Sequence, residues 1–260
     1  MTVSTQASGA RIRVAEAFPE LTRHLPPDQA RIAGHYALAT IEELRPGQWQ
    51  PHPSLQPQPG HMGVLVVEGL MTRDVVLGNT VATELVGRGD ILRPADYDGA
   101  AAPVPFDVQW RVLQPTRIAL LDRDFAAVIC HWPEAVEVIV QSGVRRAQTL
   151  GLHLAVCHLR RVDARLLVLM WHMADRWGKV TPEGVSVPLK LTHQLLGRLV
   201  GAQRPSVTTA LKKLMDEGRV SRAGDGTWLL HGDPPDTLER MRESADARCG
   251  EGIALPGGGE

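Results

Sequence analysis

The sequence predicts an α+β fold in successive parts: an N-terminal antiparallel β-roll, one long dimerisation helix and a C-terminal winged helix-turn-helix. Three observations carry this. Short apolar runs separated by glycine turns fill residues 63–121, a heptad repeat occupies residues 133–159, and residues 191–231 read as two helices around a glycine turn followed by a hairpin. The expected divisions are a flexible leader over residues 1–17, the β-roll over 18–132, the long helix over 133–160, the winged domain over 161–231 and a disordered tail over 232–260.

A chain of 260 residues with 43% hydrophobic and 22% charged residues has ordinary globular composition and length enough for two cores. No run of about 18 apolar residues occurs, so no membrane partner is expected. The opening MTVSTQASGAR lacks the apolar stretch of a signal peptide. Cys130, Cys157 and Cys249 are odd in number and far apart, which argues against a disulfide framework or a CxxC metal site and for a reducing cytoplasm.

From Phe18 to Leu44 the apolar positions Leu21, Leu25, Ile32, Leu38 and Ile41, interrupted by Pro26-Pro27, predict short helices leading into a strand. Gly63 to Leu77 reads as two apolar strands joined through Glu68-Gly69, Thr80 to Val86 as a third, and Gly87 to Asp90 as a turn. Phe106, Val108, Trp110 and Val112 alternate with Asp107, Gln109 and Arg111, as in a strand with one buried face; Thr116 to Leu121 is the last strand before Asp122. Strands of this spacing build a small sandwich or roll.

Pro133 and Glu134 suit a first helical turn, and the next proline is Pro182, so a helix from Pro133 to Leu159 is unopposed, about 40 Å long. Val136, Val140, Gly143, Ala147, Leu150, Leu154 and Cys157 recur at alternating intervals of four and three along it. That is a heptad seam, and small Gly143 and Ala147 would let a second helix approach closely. The competing reading is a helix buried against its own domain. A break at Arg160 to Val162, with Asp163 as N-cap, starts a further helix to Trp177, closed by Gly178.

In the C-terminal window Thr192 is placed to N-cap a helix whose Leu195, Leu196, Leu199 and Val200 share one face, and Gly201 ends it. The second helix has Pro205 in its first turn and buries Val207, Ala210, Leu211 and Leu214. Its other face carries Arg204, Ser206, Thr208, Thr209, Lys212 and Lys213, donors suited to base edges and phosphates; Gln194 and the helix start at Thr192 complete the expected DNA contacts. Gly218 closes the helix, and Val220 to Arg222 with Thr227 to Leu230 flank Ala-Gly-Asp-Gly as a wing. The bland alternative is a packed helical hairpin with a solvated basic face. Charge favours the first reading: residues 160–231 hold 12 Lys and Arg against 6 Asp and Glu, in a chain of net charge -1.

This stretch resembles the DNA-binding domain of the cyclic-AMP receptor protein/Fnr superfamily of bacterial transcription regulators, and the order of the other parts agrees over roughly residues 18–231. The resemblance implies a sensor β-roll of the cyclic-nucleotide-binding type, a homodimer built on the long helix, a palindromic double-stranded DNA site and RNA polymerase as a further partner. It implies base reading by the arginine opening the second helix, the residue after it and the residue four further on, here Arg204, Pro205 and Thr209. Pro205 has no acceptor for a cytosine amino group, so the half-site is expected to differ from the family's best-known one.

Members that bind cyclic AMP carry Phe-Gly-Glu after the Gly-x-Gly-Asp turn; here Gly87 to Asp90 continues as Ile91-Leu92-Arg93-Pro94. The family's phosphate arginine falls on Phe106, its hydroxyl neighbour near Gln109, and the adenine contacts on Leu150 and Gly151. Losing the ion pair and the base hydrogen bonds argues against control by cyclic AMP in the usual mode. The effector is left open and no cofactor is expected: an iron–sulfur cysteine cluster is missing, and no His or Cys spacing favours a haem. The alternative of another class is a cupin-like metal enzyme with an appended regulatory domain, resting on His52, His61 and Glu68. A cupin needs imidazoles alternating by two along a strand, and no His-x-His occurs. These and the remaining histidines, His193 and His231 included, are read as isolated.

Overall fold

The computed structural model describes residues 6–52, 55, 59–94 and 103–234. The chain divides into two compact units, residues 1–154 and 155–260. Cys249 and all but the first residues of the expected tail lie outside the described residues.

In the first unit the elements run β1 (Gln6–Arg13), α1 (Val14–Ala17), a 3-10 turn (Pro19–Thr22), α2 (Pro27–Tyr36), β2 (Leu38–Leu44), β3 (Gly47–Trp49), β4 (Gly63–Leu77), β5 (Thr80–Gly87), β6 (Ile91–Leu92), β7 (Asp107–Leu121), α3 (Arg123–Ile129) and α4 (Pro133–His158), whose last four residues fall in the second unit. The strands pair antiparallel in the order β1-β2-β7-β4-β5, with β3 also on β7 and β6 on β4. The helices and strand expected between Phe18 and Leu44 form as read.

The flexible leader needs correction. Residues 6–13 are a strand, in which Arg11, Ile12 and Arg13 pair with Thr40, Ala39 and Leu38, and Val14 is buried. Gln-Ala-Ser-Gly-Ala has little strand propensity of its own; it pairs through its backbone with the otherwise open edge of β2, which residue preference does not report. Two other divisions also dissolve. Gly63 to Leu77 is one 15-residue strand, and so is Asp107 to Leu121. Their register shifts between Val66 and Met71, where Gly69 takes φ +102° and a Cβ would stand 2.3 Å from Thr116 Oγ1 and 2.6 Å from the Pro115 carbonyl. Glycine there admits a β-bulge opposite the proline, so both strands bend and continue.

Alternate side chains of these strands enter different clusters. Leu65, Ala119 and Leu121 join Ile41, Phe18, Leu21, Phe125, Ile129 and Val138 beneath the helices, whereas Val64, Val66, Ile118, Met71, Trp49, Trp110 and Val112 fill the other cluster. Asp122 caps α3 by accepting from Phe125 N at 2.9 Å. Glu84 on β5 accepts two bonds from the Arg146 guanidinium on α4, at 2.7 and 2.8 Å, in a largely buried position that Arg73 Nη1 also approaches at 3.8 Å.

The second unit holds α5 (Val162–Trp177), β8 (Lys179–Thr181), β9 (Gly184–Val187), α6 (His193–Val200), α7 (Arg204–Asp216), β10 (Val220–Arg222) and β11 (Trp228–Leu230). The β8–β9 hairpin was not foreseen; it pairs through β9 with β11, giving a sheet ordered β10-β11-β9-β8. Gly184, at φ +142°, sits where a Cβ would meet the Leu230 carbonyl at 2.3 Å. Leu166, Leu169, Met170 and Met173 of α5 are buried, as its wide apolar face predicts.

Candidate nucleic-acid interface

Helix α6 begins where the sequence places it: Thr192 Oγ1 accepts from Leu195 N at 3.1 Å, and Gly201 ends it in the left-handed conformation, φ +61° and ψ 41°. Helix α7 follows after three residues, Gly201 to Gln203. It buries Val207, Ala210, Leu211 and Leu214 and exposes Arg204, Ser206, Thr208, Thr209, Lys212 and Lys213; Thr192 and Gln194 are exposed as well. One helical face therefore gathers a guanidinium, three hydroxyls and ammonium groups.

Two threonines on that face are fixed by their own helix. Thr208 Oγ1 bonds the Arg204 carbonyl at 3.0 Å and Thr209 Oγ1 the Pro205 carbonyl at 3.2 Å. Thr208 Oγ1 also lies 3.0 Å from His193 Nδ1 on α6. His193 is thus not isolated, and its position one residue past the α6 cap is the signal in the sequence.

Lys213, expected to hold a phosphate, has acidic partners within its own domain. Its Nζ lies 2.6 Å from Asp163 Oδ2 and 3.7 Å from Glu217 Oε1, so its charge is taken within the domain. Asp163 is not the N-cap of α5 either. Arg161 occupies that position, and Asp163 stands in the first turn, bound by the Arg161 guanidinium and by Lys213. Those donors, Arg161 first, hold its carboxyl well below the usual carboxylate range.

The wing forms as read. Val220, Ser221 and Arg222 pair with Leu230, Leu229 and Trp228, the Asp225 carboxylate accepts from Thr227 N at 2.9 Å, and the Arg222 guanidinium stacks on the Trp228 ring at 5.1 Å. His231 ties it to the neighbouring hairpin, with Nδ1 on the Glu183 carbonyl at 3.0 Å and Nε2 on Ser221 Oγ at 2.8 Å.

Along α4 the seven seam residues divide. Val140, Gly143, Ala147, Leu150 and Leu154 are exposed, Val140 at 58% and Leu154 at 63%. Val136 instead packs on the helix-side cluster of its own unit, and Cys157 turns its thiol to the Leu199 carbonyl at 3.8 Å, where burial pushes the thiol pKa up. Of the positions compared with cyclic-AMP binders, Phe106 is half-buried, and Gln109, Leu150 and Gly151 are exposed. As for the metal-enzyme alternative, Glu68 is exposed on β4 and His61 Nδ1 accepts from Gly63 N at 2.9 Å; among the described residues no three His, Cys, Asp or Glu converge as metal ligands. No helix among the described residues is long and apolar enough to cross a membrane.

Comparison with known proteins agrees with this geometry. Residues 161–234 match the model of the Crp-like helix-turn-helix domain. The regulatory protein CysR of Synechococcus elongatus is 31% identical over 85 residues, a match spanning 32% of this chain and 41% of that protein. Among solved structures, a cyclic nucleotide-binding domain containing protein from Listeria monocytogenes aligns with a TM-score of 0.58 at 14% identity, covering 84% of this chain and 97% of that one. FixK2 from Bradyrhizobium japonicum gives 0.56 at 13%, covering 79% and 96%, and a transcriptional regulator of the CRP/FNR family from Thermus thermophilus gives 0.53 at 19%, covering 80% and 99%. At these identities the structural matches speak for the fold.

Proposed function

We propose that this chain, which belongs to the Crp/Fnr superfamily by its DNA-binding domain and its fold, acts as a homodimer that reads a palindromic operator with α7 and is not controlled by cyclic AMP in the usual mode. That it is a Crp-like transcription regulator with a helix-turn-helix domain is the premise. The observation that carries the reading is the exposed donor face of α7 beside the capped start of α6. Arg204 pairs with guanine O6 and N7, while Ser206 and Thr209 reach neighbouring edges. Thr192, Gln194 and Lys212 hold phosphates, and Lys213 braces α7.

The exposed strip from Val140 to Leu154 supports the homodimer: a second α4 laid along it would cover side chains that one chain leaves in water. Two-fold symmetry in the protein then asks for a palindromic site. The half-buried phenyl ring of Phe106 in place of a phosphate-binding guanidinium supports independence from cyclic AMP. Contact with RNA polymerase belongs to the same reading.

Selection of bound sites from random duplexes by the purified chain tests it. An inverted repeat with half-sites about one helical turn apart is expected. Arg204→Ala should cost about 1 to 3 kcal/mol and relax preference at one base pair per half-site. Recovery of no sequence preference, or equal loss of specific and non-specific affinity in Arg204→Ala, would sink the assignment of the reading face.

A further inference from the structure

We propose that His193 is a DNA-contacting residue whose neutral ring positions Thr208 on the reading face and whose protonated ring adds a phosphate contact, so that operator affinity rises with acidity. The inference rests on the proposed α7 reading and concerns a side chain outside it.

The hydrogen bonds assign the protons. Thr208 Oγ1 has one proton and stands 3.0 Å from both the Arg204 carbonyl and His193 Nδ1. If that proton went to His193, two bare acceptors, Thr208 Oγ1 and the Arg204 oxygen, would face each other at hydrogen-bond distance. Donation to the carbonyl removes the conflict and makes Thr208 the acceptor at His193. Nδ1 therefore carries hydrogen, and in the neutral ring Nε2 is a lone pair. The bond of the half-buried His193 ring to the described residues runs through Nδ1, which leaves Nε2 to an outside partner.

A lone pair repels a phosphate oxygen; an N–H attracts it. His193 opens the first turn of α6, where the backbone N–H groups and the positive end of the helix dipole already favour an anion. Only the imidazolium presents donors on both nitrogens, keeping Thr208 through Nδ1 while Nε2 faces the phosphate. The charged groups around it work in the same direction. On α7, Arg204 and Lys212 stand one turn either side of Thr208, and Arg198 lies further along α6 itself. On α5, Arg165 bonds the Val200 and Gly201 carbonyls at the opposite end of α6, and Asp163 is held by Arg161 and Lys213. Lys190 precedes α6 in the chain. A phosphate bound beside the ring favours the imidazolium, so binding takes up a proton.

The test is affinity of the full chain for its selected operator and for a mixed-sequence duplex, from pH 5.5 to 8.5 at fixed ionic strength, in wild type, His193→Asn and His193→Arg. Wild type should bind more tightly as pH falls, with its salt slope steeper by about 0.9 per half-site at the acid end. His193→Asn should keep base selectivity, because its amide N–H replaces Nδ1 at Thr208, but be weaker at low pH and flat. His193→Arg should be flat and tight throughout. A wild type without pH response, or an Asn variant that keeps it, overturns the inference while leaving the α7 reading intact. Absence of sequence-selective binding at every pH would instead remove both.

Discussion

Lys213 Nζ on α7 lies 2.6 Å from Asp163 Oδ2 in the first turn of α5, so an ion pair bridges the two helices beside their apolar contact. An ammonium so occupied is a poor phosphate ligand, whereas Lys212, one residue earlier, is exposed to solvent.

The two lysines should accordingly separate by salt dependence. Lys212→Ala should weaken binding to all duplexes alike and lower the salt slope by about 0.9 per half-site. Lys213→Ala should leave the slope nearly unchanged and lower stability by no more than about 1 kcal/mol, since the lysine is 44% exposed and Arg161 stays on the carboxylate. Equal changes of slope would return Lys213 to the phosphate contacts.

Two buried carboxyls should shape the pH dependence of stability with opposite sign. Asp163 titrates below its ordinary range in the fold, so its contribution is present above the unfolded value, about 3.9, and is lost as pH falls through the folded one. Glu42, 5% exposed with Oε2 unpartnered, is raised by desolvation despite the positive influence of His52. Its contribution is full below the unfolded value, about 4.3, and is lost as pH rises through the folded one. Melting temperatures from pH 3 to 8 should show Asp163→Asn less stable than wild type at neutrality, with the gap closing in acid. Glu42→Gln should be more stable than wild type at neutrality, by about 1 to 3 kcal/mol, with that gap also closing in acid.

The Glu84–Arg146 pair predicts a thermodynamic cycle. Glu84→Leu alone leaves the Arg146 guanidinium without its carboxylate and should cost about 2 to 4 kcal/mol in urea unfolding of the first unit; Arg146→Met should cost less, because Arg73 Nη1 stays 3.8 Å from Glu84 Oε2. The double variant should lose less than either. Additive losses would mean that the two charges are already solvated separately.

Changing Leu150 and Leu154 together to Glu would set like charges against each other in the proposed helix pair. Sedimentation should then give a monomer with weakened operator binding, and an unaltered dimer would move the interface elsewhere.

Much of this was legible in residue pattern. The α6–turn–α7–wing series was readable because each boundary has a chemical cause in one residue: the Thr192 hydroxyl, the left-handed Gly201, Pro205 in a first turn, Gly218 after the last. What failed to show was pairing at a distance. The strand over residues 6–13 exists because β2 offers an edge, and the continuity of β4 and β7 exists because Gly69 and Pro115 lie opposite each other. The role of Lys213 followed the same rule: its exposed helical position was visible in the sequence, its partner 50 residues earlier was not.

The bulge at Gly69 has a bearing on how the β-roll tolerates change. Before it, Val64 and Val66 enter one cluster and Leu65 the other, so neither face of the strand is idle. Substitution by another aliphatic group keeps each side chain in its compartment. Loss of a single residue between Val64 and Val66 would exchange the compartments of everything upstream to Gly63, and no polar face exists to absorb the error. In a scan of one-residue deletions this stretch should return no folded protein, while the hairpin tip at Gly78-Asn79, with open space around Gly78, should accept an inserted residue. Lengths inside the roll are therefore constrained more tightly than identities, and variation among related chains should accumulate as substitutions within β4 and as insertions only beyond its ends.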